Sequence, residues 1–376
     1  MDDETQFLVW VKRKLVSART KDVVNLVSSG VTTAFANNWL VDTIANHGHV
    51  ILERSAEPNE FGLPSLKQAI RAAFQIPAER EIDTTSGASG AIRLICEQLL
   101  AGGSGVEFVV ESPVYEPIRA IPERLGAKIV LVDRARGVDA IARAVTENTS
   151  AVFLSNLHNP TGHWLSHEEL SDLSQRLDAA GSRVLMVVDE TFSDLGPQPG
   201  TSAASIGPRL VTISSLSKCH GLASLRCGWI TADPTALPNF VNDAVLFDNI
   251  GGKFTDVLGA MALEAIDAFR QAARQHVDRN RELVSEWLKQ TADAGLIEPQ
   301  QVPFGCVVFV QVLNCDSAAA LAEQLDARYG VIVAPGRFFG EAFDDCLRIG
   351  FGGSYDELHR GLARLTAGLA ALKRLA

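Results

Sequence analysis

Short, almost continuously apolar segments recur along the middle of the chain and alternate with longer stretches of mixed polar and apolar residues. Strands covered by helices on both faces have this composition, because neither face of such a strand meets water. Strands that alternate with helices predict an α/β domain with a mostly parallel sheet. The candidate strands are Glu107 to Val110, Ile129 to Val132, Ala151 to Leu154, Val184 to Val188, Leu210 to Ile213 and Trp229 to Thr231.

Amphipathic segments predict the helices. Residues 6–20 have a mixed pattern that favours a helix near the start of the chain. Ser166 and Glu169 have the spacing of a capping box, which predicts a helix that begins there. Few breakers interrupt residues 256–290, so one long helix is expected to link the first domain to a second.

The hydrophobic pattern changes after Leu296, where strand-like segments lie on either side of one short helical stretch. The candidate strands are Val307 to Val310, Val331 to Val333 and Leu347 to Phe351, and the helical stretch is Ser317 to Ala327. This arrangement predicts a smaller α+β domain.

The length and net charge of the chain restrict the class of protein to which it can belong. The chain has 376 residues, 47% of them hydrophobic, which is enough for a large core and two domains. Its formal net charge of −11 argues against a nucleic acid or an anionic membrane as partner. The acidic start, Met1 to Glu4, is unlike a signal peptide, and no apolar run approaches the roughly 20 residues that cross a bilayer. We therefore expect a soluble, cytoplasmic protein.

The cysteines include no C-x-x-C pair, so we predict reduced, mostly buried thiols and no metal site. They are Cys96, Cys219, Cys227, Cys306, Cys315 and Cys346.

A lysine follows the candidate strand Leu210 to Ile213 in a stretch rich in hydroxyl groups. Ser215 and Ser217 precede Lys218, and Arg226 lies eight residues after it. A lysine that forms an imine needs a dry pocket that lowers its pKa, whereas serine and arginine side chains bind phosphate. The combination predicts pyridoxal 5'-phosphate (PLP) as cofactor. Taken alone, the stretch is also compatible with a basic surface turn.

Small residues precede one expected helix, and an aromatic residue follows the candidate strand Glu107 to Val110. Ligands of such sheets bind at the carboxyl ends of the strands. Gly87, Ala88 and Ser89 lead into a helix expected from Ala91, where free backbone N–H groups favour a phosphate. Tyr115 can stack on a flat ligand, although a core tyrosine is an equal alternative.

Polar residues elsewhere extend the candidate site. Asn159 lies in an N-P-T-G turn and can donate a hydrogen bond. Asp189 ends a buried strand, where a cationic ring nitrogen would compensate the carboxylate; a structural salt bridge is the alternative. Arg348 in a late strand suits a carboxylate, again with a structural ion pair as the alternative. Gly30 allows a ligand close to the backbone, or simply forms a turn.

Together and in this order, these motifs make the chain similar to the fold-type I PLP enzymes, specifically the class I/II aminotransferase family. The resemblance covers essentially the whole chain, and its most specific motifs are Asn159 to Gly162 and Ser215 to Gly228. It implies a large PLP-binding domain with a mostly parallel seven-stranded sheet between helices, over residues 46–285. The N-terminal segment 1–45 and the C-terminal part 286–376 would form the smaller α+β domain.

The resemblance also implies a role for each candidate residue. Lys218 would hold PLP as an imine and then act as the proton-transfer base. Asp189 would pair the pyridine nitrogen, Asn159 would donate to the ring 3-oxygen, and Arg348 would bind the substrate α-carboxylate with help from Asn159. The other contacts would come from Gly87, Ala88, Ser89, Ser215 and Arg226 at the phosphate, Tyr115 against the ring and Gly30 at the substrate.

The activity that this likeness implies is transfer of an amino group from an α-amino acid to a keto acid. A PLP-dependent lyase or side-chain cyclase of specialised amino-acid metabolism is the alternative, since such enzymes share the first proton abstraction. A non-enzymatic regulatory module is a third possibility, against which the intact Lys218 argues. The family is usually a homodimer with a shared active site, so a homodimer is expected.

The chain departs from the family pattern where a tyrosine usually donates to the ring 3-oxygen, since Phe192 stands there. Glu57 stands where another tyrosine usually reaches the phosphate across the dimer, and Ser224 replaces a usual glycine. These changes remove groups that tune the cofactor, which is why elimination or cyclisation stays open beside transamination.

Because Phe192 cannot donate to the ring 3-oxygen, the phenolate form of the bound cofactor loses one stabilising hydrogen bond. We therefore expect the imine between Lys218 and PLP to have a higher pKa than is usual for the family. A pH titration of the cofactor absorbance measures this pKa directly, and a low value would contradict the expectation.

Overall fold

The computed structural model describes residues 6–18, 22–56, 62–101, 103, 105–179, 183–237 and 252–373. Its helices are α1 (Phe7–Ala18), α2 (Ala34–Ala56), α3 (Pro64–Ala73), α4 (Gly87–Leu100), α5 (Glu116–Arg124), α6 (Gly137–Arg143), α7 (His167–Ala179), α8 (Lys253–Glu264), α9 (Ile266–Asp293), α10 (Ala318–Gln324) and α11 (Tyr355–Lys373). Its strands are β1 (Val24–Asn25), β2 (Glu81–Ser86), β3 (Glu107–Ser112), β4 (Lys128–Asp133), β5 (Thr149–Ser155), β6 (Leu185–Asp189), β7 (Leu210–Ser215), β8 (Cys227–Ala232), β9 (Val307–Gln311), β10 (Val331–Ile332), β11 (Ala334–Pro335) and β12 (Cys346–Gly350).

The large sheet has seven strands in the order β2-β8-β7-β6-β5-β3-β4. The pairs from β7 through β4 are parallel, and β8 runs antiparallel to both of its neighbours. The prediction of a mostly parallel seven-stranded sheet between helices is therefore confirmed. Strand β6 is buried along its whole length, which explains its continuous apolar run.

Strand β2 was absent from the candidate strands because its sequence, Glu-Ile-Asp-Thr-Thr-Ser, is mostly polar. Asp83, Thr84 and Thr85 are nevertheless buried, since this edge strand pairs along its full length with β8. Helix α4 begins at Gly87 rather than at the expected Ala91, directly where β2 ends.

The long helix expected over residues 256–290 is two helices, α8 and α9, which are separated at Ala265. The interruption has no proline or glycine as its cause. Leu263 and Ile266, on either side of it, both pack into one apolar cluster with Phe269. The break thus allows both helices to cover the same cluster while α9 continues to the other end of the molecule.

The C-terminal part contains an antiparallel sheet, β11-β12-β9, whose central strand β12 carries Arg348. The short strand β1 pairs in parallel with β10, so the N-terminal segment joins this part of the molecule. This agrees with the predicted α+β architecture. The predicted boundaries after residues 45 and 285 fall within α2 and α9.

The cysteines form no disulfide, and all are buried except Cys315, which is partly buried. Within the described ranges, no helix is both long and apolar enough to cross a membrane.

Asp194 connects three parts of the large domain through hydrogen bonds. Its carboxylate accepts hydrogen bonds from His220 Nε2 at 2.8 Å, Arg270 Nε at 3.0 Å and Gly200 N at 2.7 Å. Burial would raise the pKa of Asp194, but the hydrogen bond from His220 and the charge of Arg270 outweigh it and hold that pKa at about 2. The ionised carboxylate therefore links the loops after β6 and β7 to α9.

The substitution Asp194→Asn should lower the free energy of unfolding at pH 7 by about 3 kcal/mol, because it removes the buried carboxylate that pairs with Arg270 and leaves this guanidinium only the exposed Asp267 as a counter-charge. The folded pKa of Asp194 lies below its ordinary value of 3.8. The wild-type advantage should thus be full above about pH 5 and shrink as the pH falls from 4 toward 2. Urea unfolding between pH 2 and 8 measures both effects.

Asp267→Asn is the matched control, since Asp267 pairs with the same Arg270 but its side chain is 94% exposed. It should change the free energy of unfolding by less than about 0.5 kcal/mol. Equal losses for the two variants would contradict the assignment to the buried pair.

Candidate active site

Two adjoining cavities lie at the carboxyl ends of the parallel strands, and both contact Tyr115, Ser217, Lys218 and Ala223. The smaller cavity, about 130 Å³, lies toward the large sheet. The larger cavity, about 270 Å³, lies toward the N-terminal segment and the C-terminal part. The predicted site residues divide between them: Ala88, Ser89, Asn159, Asp189, Ser215 and Arg226 line the smaller one, whereas Gly30 and Arg348 line the larger one.

Lys218 follows β7 and lies where the two cavities meet. Its Nζ is 3.2 Å from Ser29 Oγ, which comes from the N-terminal segment. Burial and the neighbouring Arg348 charge lower the pKa of Lys218 to about 8. Near neutral pH, a fraction of this amine is therefore uncharged and can act as a nucleophile or a base.

Asp189 ends β6 and is 8% exposed. Burial raises the pKa of its carboxyl, although hydrogen bonds from Thr191 and the charge of Lys218 act in the opposite direction. Thr191 N donates to Asp189 Oδ1 at 2.9 Å. A cation placed in the smaller cavity would favour the ionised carboxylate further, and the carboxylate would in turn keep that cation protonated.

Arg348 is 1% exposed and is held from both sides of the site. Its Nη1 donates to Asn159 Oδ1 at 3.0 Å, and its Nη2 donates to Val27 O at 2.7 Å. The rings of Phe7 and Phe339 lie 5.1 and 4.9 Å from the guanidinium. Burial lowers the pKa of Arg348 to about 10, so it remains a cation at neutral pH. Its Nε is buried without a hydrogen-bond partner.

The turn that carries Asn159 is fixed by buried polar contacts. His158 Nε2 is 2.8 Å from Pro113 O, and its Nδ1 is 2.6 Å from Thr161 Oγ1. Burial lowers the pKa of His158 to about 4, so the ring is neutral and serves as a fixed hydrogen-bonding group. Behind it, Glu111 accepts hydrogen bonds from Ser155 and Arg134. These contacts hold Asn159 beside Arg348.

A close backbone approach shapes the floor of the smaller cavity. Gly87 has a positive φ of +73°, and a Cβ there would lie 2.4 Å from Arg226 Nη2. A Cβ at Gly228 would lie 2.6 Å from Gly87 Cα. Arg226 Nη2 donates to Ser86 O at 3.1 Å, directly before α4. Glycine at both positions lets this guanidinium lie against the helix N-terminus, where backbone N–H groups also favour a phosphate.

These features fit PLP. Ser217 Oγ is buried at the junction of the cavities without a hydrogen-bond partner, as expected for a group that waits for a ligand. An arginine beside a helix N-terminus suits the phosphate, a buried carboxylate suits the pyridine nitrogen, and a lysine of lowered pKa suits the aldehyde.

Several residues at the site were not assigned to it from the sequence. Ser29 contacts Lys218, and Ser217 lines both cavities; the S-x-S-K spacing was the available signal for the latter. Phe7, Leu8 and Val11 of α1 line the larger cavity, and no local motif indicates this. Phe192 lines the smaller cavity as an apolar residue, whereas Glu57 lies outside the described residues.

The substitution Gly87→Ala should weaken PLP binding by about 10-fold or more, because the added methyl is strained at a positive φ and would displace the Arg226 guanidinium from the N-terminus of α4. Gly90→Ala is the matched control in the same helix, since a Cβ there meets nothing closer than 3.7 Å. Titration of the apoprotein with PLP, followed by absorbance, gives both affinities. If both variants bind PLP like the wild type, the close approach at Gly87 does not matter for the cofactor.

Comparison with known proteins agrees with this geometry. The family model described as Aminotransferase class I and II matches residues 49–365. A probable N-acetyl-LL-diaminopimelate aminotransferase of Bacillus subtilis is 32% identical and covers 83% of this chain and 80% of its own. Capreomycidine synthase of Streptomyces vinaceus is 28% identical and covers 84% and 81%. The solved structure of the PLP-dependent cyclase OrfR shares the fold, with a TM-score of 0.80, 23% identity and coverage of 98% and 96%.

The family match extends over most of the chain and includes every predicted site residue except Gly30. The motifs quoted from the sequence and this match lead to the same assignment. The chain belongs to the class I and II aminotransferase family, and it is a PLP-dependent enzyme that acts on amino acids.

Proposed function

We propose that this enzyme transfers the amino group of an α-amino acid to a keto acid, with PLP bound in the smaller cavity and the substrate in the larger one. One observation carries the proposal. Lys218, with its pKa lowered to about 8, lies between a buried carboxylate and a buried guanidinium, Asp189 and Arg348. In this arrangement, Asp189 would pair the ring nitrogen of PLP and Arg348 would pair the substrate carboxylate. Lys218 would act as the base between them.

The proposed cofactor contacts follow from the lining of the smaller cavity. When bound, PLP supplies an aldehyde that bonds an amine and a ring that withdraws electrons from the adjacent carbon. Asp189 would pair the pyridine nitrogen and keep it protonated. Tyr115, which lines the cavity, would lie against the ring. The phosphate would be bound by Gly87, Ala88, Ser89, Ser215 and Arg226.

Asn159 serves both ligands in this proposal. Its Oδ1 already accepts from Arg348, which leaves its Nδ2 group as the donor to the ring 3-oxygen. Because one side chain touches the carboxylate-binding arginine and the cofactor ring, it fixes the angle between substrate and cofactor.

Arg348 would bind the substrate α-carboxylate, with the backbone at Gly30 beside it. Lys218 Nζ is then positioned to accept the proton from the substrate α-carbon. Its lowered pKa suits this transfer near neutral pH, because a base works best when its pKa lies near the working pH. Burial of both groups excludes water from the transfer.

A lyase or side-chain cyclase remains the second candidate, and specific observations favour it. Phe192 lines the cofactor cavity in place of a donor. In addition, one relative is a capreomycidine synthase and one protein of the same fold is a cyclase. Both activities need the same proton transfer at Lys218, so the geometry of that residue supports either.

We also propose that the enzyme is a homodimer. Val41, Ile44 and Leu52 expose apolar side chains along one side of α2. A stripe of this kind is usually covered in an assembly. A second copy would also bring further residues to the site, as the family resemblance implies.

The test is to add single amino acids to the PLP-bound enzyme with no keto acid present. Replacement of the PLP absorbance band by that of pyridoxamine phosphate establishes transamination, and the responding amino acid is the donor. Product formation with return of the PLP band establishes a lyase or cyclase instead. If no amino acid perturbs the band, the proposed function is wrong.

With the responding amino acid and a keto acid both present, Arg348→Gln should lower kcat/KM for the donor by about 100-fold or more, because it removes a buried charged partner of the carboxylate. Its PLP absorbance should persist, which shows that the variant is folded. Arg337→Gln is the matched control, since Arg337 is exposed in the same part of the chain and should leave kcat/KM unchanged.

A further inference from the structure

We infer that the amino donor has an uncharged, apolar side chain, and that the face of α1 formed by Phe7, Leu8 and Val11 selects it. This inference rests on the proposed function, because it assumes that Arg348 binds the α-carboxylate in the larger cavity.

The larger cavity has a continuous apolar wall. Phe7, Leu8 and Val11 of α1 line it together with Val27 and Val31. Positions 7, 8 and 11 lie on one side of a helix, so a single helix face is presented to the cavity. A substrate side chain that leaves the α-carbon near Lys218 meets this wall.

The charges that line this cavity, among the residues the structure describes, are those of Lys218 and Arg348. Both are assigned to the α-amino and α-carboxylate ends of the substrate. No carboxylate in the described lining is available to a cationic side chain, and no further cation is available to an anionic one. The remaining polar groups are neutral hydroxyls, on Ser28, Ser29 and Thr32. A charged side chain would therefore lose water without gaining a partner.

Polar contacts at two places along α1 hold the apolar wall in position. Phe7 N and Leu8 N donate to the buried Glu116 carboxylate at 2.9 and 3.2 Å. Glu116 begins α5, directly after Tyr115, so the start of α1 is fixed to the large domain. At its other end, Lys14 Nζ lies 2.6 Å from Glu323 and 2.7 Å from Asp326.

Leu8 is a part of the apolar wall that remains exposed. Its side chain is 38% exposed although it lines the cavity, whereas Phe7 next to it is 3% exposed. An exposed leucine in a concave site gains favourable free energy when an apolar ligand covers it. An apolar donor side chain would provide this cover.

Calorimetry of the PLP-bound enzyme with carboxylic acids that lack the amino group tests selection apart from turnover. Acetate reports binding at Arg348 alone. We expect 4-methylpentanoate and 3-phenylpropanoate to bind at least about 10-fold more tightly than acetate, and more tightly than glutarate or 5-guanidinopentanoate. Their binding should also show a negative heat-capacity change.

The variant Leu8→Ala should reduce the preference for 4-methylpentanoate over acetate by about 5-fold or more. Val16→Ala is its matched control, because Val16 lies on the same helix, is 68% exposed and is not among the residues lining the cavity. It should leave the preference unchanged.

The outcomes separate this inference from the proposed function. The selection by α1 is overturned if glutarate or 5-guanidinopentanoate binds more tightly than the apolar acids. It is also overturned if the two variants have equal effects. Either result leaves the carboxylate site intact. If acetate and every other acid fail to bind, the assignment of Arg348 is wrong and the inference is overturned with it.

Discussion

The site depends on one buried cation. Arg348 takes part in three regions at once: it is carried by the central strand of the C-terminal sheet, it donates to Asn159 of the large domain, and it donates to the backbone of Val27 in the N-terminal segment. A guanidinium that is 1% exposed is unfavourable without partners. Its Nε has none, so the two hydrogen bonds and the rings of Phe7 and Phe339 provide its contacts and specify how the regions meet. The larger cavity, which we propose as the substrate site, therefore lies where these regions meet.

The same residue influences the chemistry on the other side of the site. Burial and the Arg348 charge lower the pKa of Lys218, whereas burial raises the pKa of Asp189. The environment thus favours a less basic amine and a less acidic carboxyl, so the Lys218 amine is more available as a base near neutral pH, whereas a cation beside Asp189 would favour its ionised form. Neither Lys218 nor Asp189 would have its shifted pKa in water, because each shift results from the surrounding low-dielectric pocket.

Sequence patterns predicted the large sheet, and most of the candidate residues line two adjoining cavities at its edge, because motifs at the ends of strands must meet at one edge of a parallel sheet. They missed β2, whose buried threonines and Asp83 are polar and give no hydropathy signal. They also predicted one helix where Ala265 separates two, since no residue type marks that break. The sequence could not predict that Phe7 and Leu8 line the larger cavity. Their contacts with Glu116 and Arg348 join residues that are more than 100 positions apart in the chain.

The paired glycines beneath the smaller cavity limit how this enzyme can change over evolutionary time. A side chain at Gly87 meets the Arg226 guanidinium, and a side chain at Gly228 meets the backbone of Gly87. Neither change relieves the other, so no second substitution at the pair restores the fit. Variation at these two glycines is therefore more restricted than variation at the helix and loop residues that line the larger cavity.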